Sequence, residues 1–447
     1  MNPKRSWILC RRFDWCAVFR RTVNGLGMSA LFALVATGAL PLFAAPQKPA
    51  PSPNAGFNDG INRADPNFVK ASLLIMSPGD ELYSCAGHSC IRLECPKFNL
   101  DYCFTYESEA SKNRIIPLLA GKLKMGMFSV PTDEYLQMFK EEGREVIQYK
   151  LNLPPEVKQR LWKYLDGKVE EGILLPDDVL RRGCAQSILE ALRNVLPPYQ
   201  FVIKKWPIKY SKKTRRELVE SVVNDQKWNR LLLHTFSGME LDRDVPLFEK
   251  VVTPVDLVET LSIAKVFGKP VLAKKGETIV AESGESRSPS VITPLVIMFV
   301  VMALALVNSF TKALWLDIVF LVLQSFLGAG LSYLVFVSDL FGTNWNWLLI
   351  PFNLLPLIFW KWRAKWAIWF AALLVLWEVG MIAYPHRLTD PAYLVLVAAF
   401  IVMYARIGLQ GIFCRSIPVD KPNTRSCADI YEKIRRDNEA ARKERGR

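Results

Sequence analysis

The apolar positions of this 447-residue chain change their spacing three times, and each change marks a different kind of structure. Residues 26–45 are nearly continuous in apolar and small residues after a basic stretch, the pattern of a secretory signal with a long lead-in, cut near Ala44 or Ala45. Pro46 disfavours cleavage directly after Ala45, which leaves an uncleaved anchor as the alternative. Residues 46–65, rich in Pro, Ala, Gly and Asn, predict a flexible tether. From 66 to 281 apolar residues recur at strand and helix spacings, as in a soluble domain, and 282–290 is a polar linker. Beyond it, apolar runs at 291–310, 313–337, 345–360, 366–384 and 391–409 each suit a bilayer core about 30 Å thick, predicting five membrane helices before a basic tail over 411–447.

Within the soluble part, Val69–Ser77 is an apolar run of strand length, followed by a turn at Pro78-Gly79-Asp80. The stretch Gly87-His88-Ser89-Cys90-Ile91-Arg92-Leu93 alternates in period two, and turn chemistry at Pro96–Asn99 returns the chain as a second strand over Asp101–Glu107. The pair predicts an antiparallel hairpin. Thr132–Glu142 reads as a helix with Thr132 as its N-cap, Glu145–Leu151 as a strand, and Pro154–Val169 as a helix with Pro in its first turn. After Gly183 the residues Ile188, Leu189, Leu192 and Val195 mark one face of a helix that Cys184 begins. Thr253-Pro254-Val255-Asp256 is a capped helix start.

The net charge of +14 first suggests a nucleic-acid partner, but its placement excludes one. Nearly all of it lies in residues 1–21, at Lys312, at Lys361, Arg363 and Lys365, and in the tail. With 46–290 exported, five spans put all these clusters in the cytoplasm, as the positive-inside rule requires. Trp345, Trp347, Trp360, Trp362 and Trp366 fall at the expected interfaces. The run from Lys204 to Arg216 reads as a solvated face or as a contact for anionic headgroups. Asp317 and Glu378 are carboxylates inside apolar spans; Asp317 is expected at the cytoplasmic interface, and Glu378 is a candidate either for a bond to a neighbouring helix or for a role at the site.

Cysteine and histidine usage narrows the chemistry. Four of the five exported cysteines, Cys85, Cys90, Cys95 and Cys103, crowd into nineteen residues, and in an oxidising compartment they are expected to be disulfide-bonded. Cys184 is the odd thiol. Of three histidines, His386 lies between apolar spans and His234 has no evident partner, so His88 is the candidate base; the plainer alternative is a structural histidine at the mouth of a sheet. A free thiol with pKa about 8.5 is only about 3% thiolate at pH 7. Lowering it to about 6 needs roughly 3.4 kcal/mol, more than the ~0.3–2 kcal/mol of a helix dipole, so a cationic neighbour is required. His88 and Cys184 are accordingly expected to pair as base and nucleophile. No cofactor or metal is expected.

The run Gly87-His88-Ser89-Cys90-Ile91-Arg92, followed by Tyr102-Cys103-Phe104-Thr105-Tyr106, resembles the start of the periplasmic domain of the Lnb lipoprotein N-acyltransferase family, as do Leu151-Asn152-Leu153 and, in the membrane half, Thr343-Asn344-Trp345-Asn346-Trp347 with Pro351 and Pro356. Where that family has Asn before its cysteine, this chain has Gly183. The resemblance implies an α+β papain-like domain of the circularly permuted NlpC-like kind, followed by an all-α membrane domain of five helices. It implies a thiol acyltransferase with Cys184, His88 and Tyr106 at its site, Tyr106 orienting the imidazole or donating to the oxyanion, with Glu107 as the second choice for that place. The partners implied are a phospholipid acyl donor, a diacylated lipoprotein acceptor and the bacterial inner membrane. The runner-up is a membrane-tethered cysteine amidase or endopeptidase acting on cell-wall peptides with the same pair, and a third class is a receptor whose exported domain only binds.

Overall fold

A computed structural model describes residues 65, 67–79, 84–108, 115–176, 183–197, 200–273, 275–283, 292–384 and 389–416. The expected leader, most of the tether, the end of the linker, His386 and the tail beyond 416 lie outside the described residues. The described residues all fall within one compact unit.

The alternating stretches become strands β1 (Lys70–Met76), β2 (His88–Cys95), β3 (Leu100–Ser108), β4 (Lys124–Pro131), β5 (Val146–Lys150), β6 (Leu175–Pro176) and, far along the chain, β10 (Glu277–Val280). They form one sheet in the order β10-β5-β1-β2-β3-β4-β6, each pair antiparallel. The predicted hairpin is present, with Cys90 opposite Thr105 and Arg92 opposite Cys103. Three short strands, β7 (Phe201–Val202), β8 (Lys265–Val266) and β9 (Lys269–Pro270), make a second sheet.

Period-two alternation sends the strands' side chains to two different cores. On one face Ile91, Leu93, Cys95 and Phe104 pack with Val157, Leu161 and Trp162 of α3 (Pro155–Glu171) and with Ala185, Ile188 and Leu192 of α4 (Cys184–Val195). On the other, Leu74, Cys90 and Cys103 pack under Tyr135 and Phe139 of α2 (Thr132–Glu141). A five-residue helix, α1 (Ile115–Leu119), joins β3 to β4. Thr132 is not the N-cap of α2, a place taken by Pro131; its hydroxyl donates instead to Asp101 at 2.6 Å. Asp101 also receives Arg92 from two nitrogens, while Arg92 Nη1 donates to Gln148. The arginine that ends the Gly-His-x-x-x-Arg run thus ties β2, β3 and β5 together.

The same alternation decides the cysteines. All four of the crowded set are free thiols here, a correction to the expected disulfides. Cys85 precedes β2 and Cys95 ends it, roughly 30 Å apart at ~3.3 Å per residue, out of bonding range. Cys90 and Cys103 share the face under α2, and Cys95 points to the opposite one.

After α4 the chain adds α5 (Ile208–Lys212), α6 (Arg215–Val223), α7 (Lys227–Phe236) and α8 (Pro254–Ile263), the last with the expected capping box between Thr253 and Asp256. The basic run is partly consumed internally: Lys209 pairs with Asp256, Arg215 with Glu249, and buried Arg216 with Asp242 at 2.8 Å. Lys204, Lys205 and Lys212 stay exposed. Arg216 also donates to the carbonyls of Ser237 and Gly238, fixing the turn that carries the chain against the membrane half.

That half contains four apolar helices long enough to cross a bilayer, α9 (Pro294–Thr311), α10 (Leu314–Phe336), α12 (Arg363–Ala383) and α13 (Pro391–Ser416). The third of the five predicted spans, 345–360, is not a helix. It runs as short 3-10 turns and the four-residue α11 (Leu355–Ile358), and Pro351, Pro356 and the backbone bonds of the Asn346 and Asn353 side chains break any longer ladder. Irregular backbone at membrane depth is tolerated only where protein covers it. Buried Gln324 of α10 does so, donating to the Pro351 carbonyl at 2.6 Å and accepting from Tyr404 of α13. Asp317, in the first turn of α10, is buried, paired with Arg406 and bonded by Asn308. Glu378 Oε1 is buried without a partner among the described residues.

Removing one partner of a buried ion pair strands the other, at a cost of about 3–5 kcal/mol. Arg216→Ala is therefore expected to lower the thermal unfolding temperature of the detergent-solubilised protein by several degrees, read by size-exclusion after heating. Unchanged stability would show that the turn holds without it.

Candidate active site

The site is built at the end of the sheet where β2 begins. Gly87 adopts φ +83, and a Cβ there would stand 2.8 Å from the Met76 carbonyl oxygen, so only glycine lets the chain turn into β2 at this point. The next residue, His88, starts the strand and is partly exposed. Its Nε2 lies 2.7 Å from Thr105 Oγ1 and 3.4 Å from Glu107 Oε1, both on β3. Thr105 donates to Glu107 at 3.0 Å, and Tyr135 of α2 donates to both, so a buried hydroxyl network holds the carboxylate against the ring.

Across from it, α4 begins at Cys184 with Gly183 as N-cap and no side-chain cap on its first-turn amides. The core residues of α4 pin the helix to the sheet, which brings the thiol to the imidazole. The sulfur of Cys184 stands close enough to the His88 ring and to Ser89 for both to act on its ionisation. With Nε2 turned to Thr105 and Glu107, Nδ1 is the ring nitrogen left for the thiol.

Burial alone raises a thiol's pKa and lowers an imidazole's. Here the pair reverses both. Against its burial, Cys184 is held below the ordinary thiol value, first by the charge and hydrogen bond of His88 and then by Ser89. Against the same desolvation His88 is held above its ordinary value by the Cys184 thiolate and the Glu107 carboxylate, with the Arg144 guanidinium opposing. The other shifted exported thiols go the opposite way: burial pushes Cys85 up to about 11, Cys90 well up beside the sulfur of Cys103, and Cys95 up. Among these cysteines Cys184 alone is made nucleophilic.

Tyr106 sits between Thr105 and Glu107 on β3, so its side chain projects to the other face of the sheet, the one α4 covers. It is Glu107 that stands beside the imidazole. His234 is buried on α7, 3.6 Å from Glu220, and is no part of this site. Thr105, Tyr135, Ser89 and Arg144 were not singled out by sequence; hairpin register would have found Thr105, whereas nothing local announces Tyr135. Arg144, between α2 and β5, donates to the Ser77 carbonyl at 2.8 Å and to Glu142. Among the described residues no group of three or more His, Cys, Asp and Glu is arranged to hold a metal.

Three connections at this end of the sheet touch the membrane half or its approach. The β1–β2 loop accepts from Gln226 through the Gly79 and Cys85 carbonyls. Gln226 caps α7, whose Trp228 donates to the Ile292 carbonyl and whose Arg230 pairs with Asp390 beside α13. In the β3–β4 connection the Ala120 carbonyl accepts from the Asp339 amide just past α10, and Gly143, before β5, accepts from Ser283 on the way to α9. The thiol end of the sheet is the end that meets the membrane domain.

Residues 57–207 match the sequence family described as the Lnb N-terminal periplasmic domain, a span holding both His88 and Cys184. The chain matches no curated protein and no solved structure.

Alkylation of Cys184 by iodoacetamide, followed against pH by peptide mass mapping, is expected to show an ionisation midpoint below that of an ordinary thiol. Each pKa unit is a factor of ten in thiolate at neutral pH. His88→Ala should therefore slow alkylation at pH 7 by about tenfold or more. Glu107→Gln should move the midpoint up by a smaller amount, because the carboxylate favours the imidazolium; an unmoved midpoint would separate Glu107 from the pair.

Proposed function

We propose that this chain, whose residues 57–207 match the Lnb N-terminal periplasmic domain, is a membrane-bound thiol acyltransferase acting on bacterial lipoproteins. The observation that carries this reading is the polarised Cys184–His88 pair at the one end of the sheet that is tied to the membrane domain. The match to a periplasmic domain family and the four apolar helices among the described residues support an inner-membrane protein with a periplasmic domain. A histidine on a strand preceding a cysteine on a helix is the order of a circularly permuted papain-like domain.

In this reading the Cys184 thiolate attacks the carbonyl carbon of a phospholipid's acyl ester. The C–O bond breaks, and the His88 imidazolium gives its proton to the departing lysolipid oxygen. The acyl chain is left as a thioester, which divides a slow amide synthesis into two acyl transfers. The α-amine of a lipoprotein's diacylated N-terminal cysteine then attacks the thioester, His88 takes a proton from it, and the thiolate is released. The amide of Ser89 and the uncapped first turn of α4 are the backbone donors nearest the developing oxyanion. Tyr106, on the sulfur's side of the sheet, is the side-chain candidate for the same task. Counting the broken segment 345–362 as a crossing gives five passages, which puts Lys312, Lys361, Arg363, Lys365 and the tail in the cytoplasm.

The amidase alternative uses the same pair but gives no account of why the thiol end is tied to a multi-helix membrane domain. Mass spectrometry of lipoprotein N-termini from cells with and without the protein separates the two. N-acylated termini should depend on it and be lost in Cys184→Ala and His88→Ala, while cell-wall peptides stay unchanged. The reverse result establishes the amidase. Tyr106→Phe should lower turnover without moving the alkylation midpoint of Cys184.

A further inference from the structure

The β3–β4 connection carries Ile115-Ile116-Pro117-Leu118-Leu119-Ala120, six apolar residues in a row on the exported side of the chain. In a water-soluble domain such a run turns at least one face into a core. This one does not: among its described side chains none belongs to any of the three apolar cores, Ile116 is 63% exposed and the next four are half-buried. Its position relative to the bilayer follows from the backbone. Ala120 accepts from the Asp339 amide at 3.3 Å. At Gly121, φ +66, a Cβ would stand 2.3 Å from the Asp339 carbonyl carbon, so the two chains touch backbone to backbone. Asp339 comes three residues after α10 ends at Phe336, and Phe336 and Val337, 76% and 66% exposed, are the outer end of that membrane helix. The apolar run therefore lies at the level where the helix leaves the bilayer.

Its flanks fit that level. Lys112 and Arg114 precede it, and Lys122 and Lys124, both exposed, follow it. An apolar stretch bracketed by cations suits a surface of acyl chains beneath anionic headgroups.

We propose that Ile115–Ala120 rests in the outer leaflet of the inner membrane and that the lipid chains packed against it are the ones presented to Cys184. The first half of this stands on the docking geometry alone; the second rests on the acyl-transfer reading. The run lies in the connection that leaves β3, the strand whose Glu107 stands beside His88, and so belongs to the same end of the sheet as the thiol.

The test places a photo-crosslinking residue at position 116 of the full-length protein in nanodiscs of phosphatidylethanolamine and phosphatidylglycerol, with 336 as the lipid-facing reference and exposed Val202 as the distant one. The expected result is a lipid adduct at 116 and 336 and none at 202. A crosslink from 116 to a second copy of the chain, or no lipid adduct at 116 while 336 gives one, overturns leaflet contact. For delivery, Ile116→Asp should slow acylation of Cys184 from vesicle phospholipid severalfold while leaving its alkylation by iodoacetamide unchanged. Equal acylation rates overturn that half. If the wild type forms no acyl-Cys184 at all, yet 116 still crosslinks to lipid, the acyl-transfer reading and with it delivery fail, and leaflet contact stands.

Discussion

The site depends on one electrostatic exchange: a thiol and an imidazole that burial drives toward neutrality are each pulled toward the charged form by the other. Desolvation acts against the ionic form of both. That both shifts run against burial means that the mutual attraction of the pair, with Ser89 and Glu107, outweighs the desolvation. That balance explains the architecture around it. The hydroxyls of Thr105 and Tyr135 hold the Glu107 carboxylate against the ring, Gly87 lets the strand start with the ring aimed correctly, and the core of α4 fixes the sulfur. The crowded cysteines supply the contrast, since burial without a cation leaves Cys85, Cys90 and Cys95 less acidic than a free thiol.

A second constraint sets where this chemistry happens. The thiol end of the sheet is tied to α7, to the loop after α10 and to the lead-in of α9, so it does not swing freely on a tether. The broken segment 345–362 belongs to the same arrangement: its outer part meets the exported half through Asn346, which donates to the Thr235 carbonyl, and its inner part is covered by Gln324 and Gly328 of α10. A straight helix there would spend the Pro351 carbonyl on its own ladder and leave the Gln324 amide without it.

Much of this was legible in the residues. Alternation around His88 and over Asp101–Glu107 pointed to a hairpin, because a one-residue slip would turn Ile91, Leu93 and Phe104 out of the core they fill. The face of Ile188, Leu189 and Leu192 placed Cys184 at a helix start, and unpaired chemistry then left His88 as its partner. The misses share a cause. Hydropathy counts apolar residues and does not see that Pro351, Pro356 and two backbone-bonding asparagines break a span. Cysteine density does not encode strand faces: Cys95 points away from Cys90 and Cys103, and even those two neighbours stand as free thiols. Tyr106 and Glu107 differ by one position, and only register decides which of them shares the face of His88.

The most direct test of the account is the intact mass of the wild-type protein after incubation with phospholipid vesicles and no acceptor. The account predicts one fatty acyl group, mapped to Cys184, released by hydroxylamine and absent from Cys184→Ala. An acyl group on another residue, or acyl transfer to lipoprotein that persists in Cys184→Ala, contradicts it.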